Sequence, residues 1–164
     1  MSILRVLQNV KIKKIRKILL LGAWHPLFIA PTLRATKKCL NVSTELYGKS
    51  HHQNGPANAF RHAFWNYLIA KKCFSWRPNQ KRVMLWTEKI TDWHEAAFPN
   101  SSLARAMDLH NNAVGRQLFL GHRSESVEHV IDKLKNLTLK SVQIHSESDI
   151  IVQPLQLVHI IDMK

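Results

Sequence analysis

The sequence predicts an all-α, or mainly α, single-domain helical bundle covering residues 1–164. A chain of 164 residues is an ordinary length for one domain. Apolar residues make up 45% of the chain and charged residues 21%, which argues against wholesale disorder. Hydrophobic residues recur at helical spacing through most of the chain, and proline and glycine mark the breaks.

Residues 1–30 form a basic amphipathic segment in which KIKKIRK precedes a short apolar run. The apolar run at 18–24 is too short to span a membrane, because a spanning helix needs about 20 apolar residues. The segment imitates a signal peptide only superficially. Such a helix either packs on the domain or lies on an anionic membrane surface, and we expect it to pack. One side of its helical wheel carries Leu4, Leu7, Ile12, Ile15, Ile18 and Leu19.

Five further helices are predicted from capping and breaking residues. Pro31 stands in the first turn of the earliest, and Gly48 follows its end. Asn100, Ser101 and Ser102 offer N-caps for a later helix that Gly121 closes. The predicted helices cover residues 31–47, 57–72, 81–97, 103–120 and 126–137.

The predicted helices divide into a motif-bearing core at 54–120 and a C-terminal region at 121–164. The C-terminal region holds the last helix and a tail whose residues alternate in a β-like way. This alternation predicts a short C-terminal hairpin or an added strand.

Three consecutive helices of the core carry polar rows opposite their apolar stripes. A solvent face would hold mainly Lys and Glu pairs, whereas these rows hold His, Arg, Asp, Asn and Trp. Asn111 and Asn112 in mid-helix cost a few tenths of a kcal/mol each, roughly by the helix-propensity scale. A shared site between the helices would recover that cost. The rows are Asn58, Arg61, His62 and Trp65; then Glu88, Asp92 and Glu95; then Asp108, Asn111, Asn112 and Gly115.

The apolar stripes of the same helices predict the core. His110 falls within one of them and is therefore expected to be structural. The stripes comprise Phe60, Phe64 and Tyr67; Val83, Trp86, Ile90, Trp93 and Ala97; and Leu103, Ala106, Met107, His110, Val114 and Leu118.

Three ordered motifs in residues 54–116 closely resemble those of an uncharacterised bacterial domain family: NGPANAFRHAFWN, TDWHEAAF and MDLHNNAVGR. The family pattern reads NGxxDAFRHAxWN, DAHE and MDxxNNxxGR. The resemblance implies a small α-helical domain of bacterial origin, found alone or at the C-terminus of large secreted, wall-associated or toxin-like proteins. It carries over no established activity. Asn58 stands where the family has Asp, which removes a candidate ligand or base, and Trp93 stands where it has Ala.

The candidate catalytic residues are His62, Glu95 and Asp108, which are also the candidate ligands of a divalent metal ion. An imidazole suits both a ligand and a general base, and carboxylates supply oxygen ligands. For His62 the alternative is a buried histidine bonded to a carboxylate. For Glu95 it is an ion pair with an arginine, and for Asp108 it is a buried acceptor for Arg61.

Three more residues are candidates for orienting these ligands by hydrogen bonds without contacting the ion themselves, namely Asn58, Asp92 and His94. An ion pair with Arg61 or Arg116 is the alternative for Asp92. His94 lies near the apolar stripe of its helix, so a satisfied structural histidine is the favoured alternative there.

The candidate substrate-binding residues are Arg61, Arg116, Asn111 and Asn112. Both arginines can clamp a phosphate bidentately. The two asparagines can hold a phosphate or sugar through amide donors, or else lock neighbouring backbone groups. Gly115 is expected to permit close approach between helices.

Several other chemistries are excluded by the motifs. An HExxH zinc site would need histidine where Phe98 stands, and no GxSxG, Walker or GxGxxG motif occurs. Cys39 and Cys73 form no close pair, so neither a disulfide framework nor a cysteine-based zinc site fits. Water activated by a metal ion or by a His–carboxylate pair is the most economical chemistry that remains.

The net charge of +13, from 24 basic and 11 acidic residues, favours an anionic partner. Candidates are a phospholipid surface, nucleic acid or a cell-envelope precursor, and the protein is expected in the cytoplasm or secreted, including a place at the membrane periphery. Solvated helix ends are the alternative explanation of the charge. Two clusters stand out: Lys11, Lys13, Lys14, Arg16 and Lys17, and Lys71, Lys72, Arg77, Lys81 and Arg82.

Two main functional hypotheses follow. The first is a hydrolase, with or without a metal ion, that acts on an anionic phosphoester from a central cleft. The second is a non-catalytic module with a buried Arg/His/Asp/Asn network and a basic surface for nucleic acid or a membrane. Nucleic-acid binding that rests on charge alone is a third, weaker hypothesis.

Overall fold

The computed structural model describes residues 12–98, 100–150 and 155–161. Within these ranges the chain is mainly α-helical, as predicted, with one small pair of strands. The helices are α1 Ile12–Trp24, α2 Pro26–Tyr47, α3 Pro56–Trp76, α4 Gln80–Ala97, α5 Ser102–His122 and α6 Val127–Leu139; the strands are β1 Val142–Gln143 and β2 Val158–His159; and 3₁₀ turns cover Ser50–His52 and Glu147–Ile150.

Helix α3 is the centre of the molecule. The predicted apolar side of Phe60, Phe64 and Tyr67 is fully buried, and the opposite side is largely buried as well. Helices α2 and α5 make the most extensive contacts with α3, and α4 and α6 complete its surroundings. A helix that is enclosed on both faces has to satisfy its polar side chains inside the protein.

Gly115 sets the distance between α3 and α5. A Cβ atom built on Gly115 would lie 2.0 Å from the carbonyl oxygen of Ala63, so only glycine fits the crossing. This confirms the predicted close approach. It also brings the polar rows of the two helices within hydrogen-bonding distance of each other.

The predicted helix starts are confirmed to within a few residues by their N-caps. The hydroxyl of Ser101 accepts from the Ala104 amide at 3.2 Å, and that of Ser126 accepts from the His129 amide at 3.1 Å. The helix that was predicted to end at residue 120, before Gly121, continues two residues further, to His122.

The predicted boundary between the first two helices is wrong. The break falls at His25, α2 begins at Pro26, and Pro31 lies inside the helix. Pro26 fits the first turn because its missing N–H has no helical partner there. Pro31 is tolerated in a segment held by burial: Pro31 and Phe28 are both buried, and the Phe28 ring lies 5.9 Å from that of Trp86.

The amphipathic stripe of the N-terminal segment packs only in part. Ile15 and Ile18 are partly buried, whereas Leu19, expected on the packed side, is 67% exposed. Residues 1–11, including Leu4 and Leu7 of the predicted stripe, lie outside the described residues, as do the side chains of residues 12–14.

The C-terminal strands run parallel, with Val142 opposite Val158, so the expected hairpin is wrong and the added strand is right. Parallel pairing requires a crossover, and the 3₁₀ turn Glu147–Ile150 lies within it. Side chains of α5 hold the second strand against the bundle.

Membrane-spanning potential is confined to one bent pair. In the described ranges, no helix taken alone is long and apolar enough to cross a bilayer. Only α1 and α2 together reach the required length and hydropathy, and their directions differ by 117°.

Candidate functional site

His62 on α3 lies between two carboxylates supplied by two other helices. Its Nδ1 is 3.4 Å from Oε1 of Glu95 on α4, and its Nε2 is 3.3 Å from Oδ1 of Asp108 on α5. All three side chains are buried. The three polar rows therefore meet, and the candidate catalytic residues form one cluster, which we call the His62 cluster (His62, Glu95 and Asp108).

Hydrogen bonds indicate which nitrogen of His62 carries the proton. Nη2 of Arg61 lies 2.8 Å from Nε2, and a guanidinium group can only donate. Nε2 is therefore the acceptor, and the neutral ring carries its proton on Nδ1. The Nδ1–H group faces Oδ1 of Asn112 at 3.2 Å and Oε1 of Glu95 at 3.4 Å.

Asn112 holds His62 and Glu95 in register. Its Nδ2 donates to Oε1 of Glu95 at 3.0 Å, while its Oδ1 accepts from Nδ2 of Asn66 at 2.6 Å. The Thr91 hydroxyl donates to Oδ1 of Asn66 at 3.2 Å. Asn112 was expected to bind substrate, and here it orients the imidazole. Three buried hydrogen bonds therefore offset the low helix propensity of Asn112 in mid-helix.

Asn66 and Thr91 were not among the predicted site residues. A signal was present in the spacing, since Asn66 lies four residues after His62 and Thr91 lies four residues before Glu95. Residues four apart share a helix face, so both could have been added to the polar rows.

Within the His62 cluster, only Asp108 has a buried side-chain atom without a hydrogen-bond partner among the described residues. Its Oδ1 is buried and accepts no hydrogen bond from any described group. Burial raises the pKa of Asp108 to about 6, although the charge of Arg61 opposes the rise. His62 Nε2 lies 3.3 Å away and accepts from Arg61, so it offers Asp108 no donor. The unpartnered Oδ1 therefore calls for a proton or a cation beside it.

Glu95, by contrast, is ionised at neutral pH. Burial alone would raise its pKa, but the hydrogen bonds from His62 and from the Asn112 amide hold the pKa below its ordinary value. The cluster at neutral pH therefore holds a fixed carboxylate on the Nδ1 side of the ring and a poorly satisfied one on the Nε2 side.

Two more buried polar atoms near His62 in the sequence lack partners among the described residues. They are Nε of Arg61 and Oδ1 of Asn58. Asn58 precedes His62 by four residues and so shares its helix face. Buried polar atoms are bonded in most proteins, so two unpartnered atoms three residues apart on α3 favour a ligand-binding or ion-binding role for this helix face.

A cavity of about 120 Å³ reaches His62 of the cluster, with walls from α2, α3 and α4. Its walls are mainly apolar, and Arg61 and His62 are among the polar residues that line it. The indole of Trp65 donates to the Thr36 hydroxyl at 2.8 Å and ties α3 to α2 there. The lining residues are Thr36, Cys39, Leu40, Arg61, His62, Trp65 and His94.

The contribution of α2 to this cavity was missed by the sequence analysis. Thr36 and Leu40 lie four residues apart, with Cys39 beside them, but these residue types give no chemical signal. Cys39 is buried, and burial raises the pKa of its thiol to about 12. The thiol is therefore protonated and supplies wall rather than a nucleophile.

His94 lines the cavity and forms no ion pair with the carboxylates of the His62 cluster. Its ring packs edge-on against Trp65 at 5.0 Å and lies 4.8 Å from the ring of Phe98. Burial lowers its pKa to about 4, so the ring is neutral at physiological pH. It adds aromatic surface to the wall.

Three of the predicted site residues lie away from the His62 cluster. Asn111 binds the backbone of Val158, donating to its oxygen at 2.9 Å and accepting from its amide at 3.1 Å. Arg116 donates to Asn66 and to Glu88, each at 3.3 Å. Asp92 is exposed. Partial burial raises its pKa, and the charge of Arg116 opposes that rise.

His110 behaves as expected for a structural histidine. Its Nε2 lies 2.8 Å from the backbone oxygen of Gln156, just before the second strand. Together with Asn111 it fastens the C-terminal strand to α5. This explains why two polar residues interrupt the apolar pattern of that helix.

The donor set of the His62 cluster fits a divalent metal ion. One ligand atom from each of the three side chains lies within 4.8 Å of the others. Two ligands of a tetrahedral ion with bonds near 2.1 Å are roughly 3.4 Å apart, which is close to the separation of His62 Nε2 and Asp108 Oδ1. One imidazole nitrogen with carboxylate oxygens is a common set for Zn²⁺ and Mn²⁺.

Comparisons with known proteins place the chain in a family. A family model described as "Domain of unknown function (DUF6973)" matches residues 19–142, which include the His62 cluster and all three motifs. No curated protein and no solved structure is significantly similar. The chain therefore belongs to the DUF6973 family.

Proposed function

We propose that the protein is a metal-dependent hydrolase that cleaves an anionic phosphoester at the His62 cluster. The observation that carries the proposal is Oδ1 of Asp108, a buried carboxylate oxygen with no donor among the described residues, facing an imidazole acceptor at 3.3 Å. A structural network would have satisfied this atom, because an unpaired buried acceptor destabilises a protein by about 1–3 kcal/mol.

His62 and the two carboxylates are assigned as the residues that hold the ion. A divalent ion bound there would supply a hydroxide nucleophile by lowering the pKa of a bound water molecule. Asn112 and Asn66 keep the imidazole in the tautomer that exposes the Nε2 lone pair. Glu95 is held by the same asparagine and stays ionised.

Arg61 is assigned to the substrate. Nε2 has one lone pair, so ligation by Nε2 displaces the hydrogen bond from Arg61 Nη2. The guanidinium group is then free at the cavity, where it would bind a non-bridging phosphoryl oxygen and stabilise the charge that develops on it.

The walls of the cavity favour a phosphoester that carries an apolar group. Leu40, Trp65 and the protonated Cys39 offer apolar contact, and the walls of the cavity are mainly apolar. A nucleobase would need hydrogen-bonding partners for its edges. Among the candidate substrates, a lipid or cell-envelope phosphoester therefore fits better than a nucleic acid.

The non-catalytic module is supported by one observation, the bonded chain of Thr91, Asn66, Asn112 and Glu95. A network of this kind specifies helix register by itself. The unmet groups of Asp108 and Arg61 lie next to this chain but outside it, and this favours a site built upon a structural support.

Hydrolysis of chromogenic phosphomonoesters and phosphodiesters by chelator-treated protein, with Mn²⁺, Zn²⁺ or Mg²⁺ added back, tests the proposal. We expect activity that depends on the added ion and falls about 100-fold or more in His62→Ala. His52→Ala, which removes an exposed loop histidine, is the matched control and should keep full activity. Equal activity in the two variants would refute the assignment.

A further inference from the structure

We propose that the corner between α1 and α2 docks on the surface of an anionic phospholipid bilayer. This docking does not depend on the proposed hydrolysis. It rests on three observations: exposed apolar side chains at the corner, two adjoining grooves of different chemistry, and the sign of the surrounding charge.

The corner exposes large apolar side chains that the bundle leaves uncovered. Trp24, the last residue of α1, is 81% exposed, and Leu19 and Leu33 are 67% and 64% exposed. Leu20, Leu27 and Ile29 add to the same two helices. Single exposed leucines are ordinary, but a contiguous group marks an interaction surface.

Two grooves meet at Pro26. One has a volume of about 380 Å³ and almost wholly apolar walls, formed by residues that include Ile18, Ile29 and Leu33. The other has a volume of about 490 Å³ and is lined by Trp24, Arg77 and Arg82, among others. An apolar groove beside an arginine-lined one matches an acyl chain joined to a phosphate headgroup.

The charge around the corner is positive. Glu45 is the only acidic residue in the sequence before Glu88. Arg16 and Lys17 are exposed on α1, and Arg77 and Arg82 line the groove that contains Trp24. An interfacial helix pair with basic flanks and an exposed tryptophan binds anionic lipid by combining apolar insertion with charge attraction.

An exposed row on α2 leads from the corner to the candidate catalytic cavity. Ile29, Leu33, Thr36 and Leu40 fall on one face of the helix by their spacing. The first two line the apolar groove, and the last two line the cavity at His62. The row is roughly 16 Å long at the rise of an α-helix. A bilayer at the corner would thus lie next to the cavity mouth.

Other occupants of the corner fit less well. Single-stranded nucleic acid needs a series of stacking aromatic rings along a basic groove, and the corner offers mainly leucine and isoleucine. Of its two exposed tryptophans, Trp24 and Trp76, the second is already covered by Arg34, which lies 5.6 Å from its ring. A second copy of the chain would bring like-charged arginines together, which opposes pairing.

Flotation with vesicles of phosphatidylcholine, with or without phosphatidylglycerol, tests the docking on the full chain. We expect binding to the anionic vesicles alone, and a fall of about tenfold or more in the partition coefficient for Trp24→Glu. The double variant Arg77→Gln/Arg82→Gln should lose about fivefold per removed charge. Leu139→Glu and Lys140→Gln, at an exposed site at the end of α6, are the matched controls and should bind like wild type.

The docking proposal would be overturned by an absence of binding to anionic vesicles, or by equal losses of binding in the test and control variants. It would also be overturned if a single-stranded RNA oligonucleotide bound through these residues while the vesicles did not bind. A dimer in lipid-free solution that Trp24→Glu dissociates would also overturn it. The two proposals fail separately, because His62→Ala should still bind vesicles and Trp24→Glu should still cleave a soluble phosphoester.

Discussion

At the scale of single residues, Asp108 is the most informative. A carboxylate that is 5% exposed and has an unbonded oxygen destabilises the fold once it ionises. Its folded-state pKa of about 6 lies above the ordinary value of 3.8. The folded protein therefore binds this proton more tightly than the unfolded chain does, and the stabilisation it contributes is present below pH 4 and lost as the pH rises through 6.

Asp108→Asn should therefore stabilise the metal-free protein at neutral pH. We expect the free energy of unfolding at pH 7 to rise by about 2–3 kcal/mol relative to wild type in the presence of chelator, and the difference to vanish near pH 4. Urea unfolding at both pH values measures it.

Asp132→Asn is the control for this measurement, since that carboxylate is exposed on α6 and should leave the stability unchanged. A loss of several kcal/mol at pH 7 in Asp108→Asn would contradict our interpretation, because it would mean that the carboxylate is a bonded member of a structural network.

Residue chemistry explains which parts of the site could be predicted. His62, Glu95 and Asp108 were found because their types and spacing put titratable groups on helix faces where solvent-exposed lysine and glutamate were expected. Leu40 and Cys39 could not be found this way, since a cavity wall is made by the packing of a distant helix. Asn111 bonds a backbone strand, which was the alternative to substrate binding, and residue type could not decide between the two because an amide serves a strand as readily as a ligand.

At the scale of elements, the crossing of α3 and α5 determines whether the site can form. His62 belongs to α3, and Asp108 and Asn112 belong to α5, so their distances follow from how closely the two helices approach. Gly115 permits that approach, since a Cβ there would overlap the Ala63 backbone.

Gly115→Ala should accordingly lower both stability and activity. We expect a loss of about 3 kcal/mol or more in the free energy of unfolding, because backbone atoms must move apart. Gly121→Ala is a control in the same helix with open space around its Cβ position, and it should be neutral or slightly stabilising. Thermal unfolding compares the two. Similar melting temperatures for the two variants would mean that the crossing is not tight.

Elements also show where local patterns fail. Pro31 reads locally as a helix start, yet burial of Phe28 and Pro31 extends the helix back to Pro26. The tail alternates like a hairpin, yet the second strand pairs in parallel because Asn111 and His110 on α5 capture it. In both cases a tertiary contact outweighs a local preference, and such contacts cannot be seen in the sequence.

At the scale of the whole molecule, polar and apolar functions are separated. The centre of the bundle holds the His62 cluster, and the α1–α2 corner holds exposed apolar surface amid positive charge. The mainly α fold could be predicted from composition and periodicity. In the part of the chain that the structure describes, six helices bury the main core around α3, and a smaller cluster of Met107, Ile144 and Val158 lies beside it. The net charge of +13 predicted an anionic partner but not its position.

Calorimetric titration of Mn²⁺ and Zn²⁺ into the chelator-treated protein tests the central claim most directly, with phosphoester hydrolysis followed in parallel. We predict saturable binding of one ion per chain, proton release at pH values near 6 as Asp108 ionises, and hydrolysis that rises in step with occupancy. Asp108→Asn should lose both. Absence of saturable binding, or binding that is unchanged in Asp108→Asn, would contradict the account.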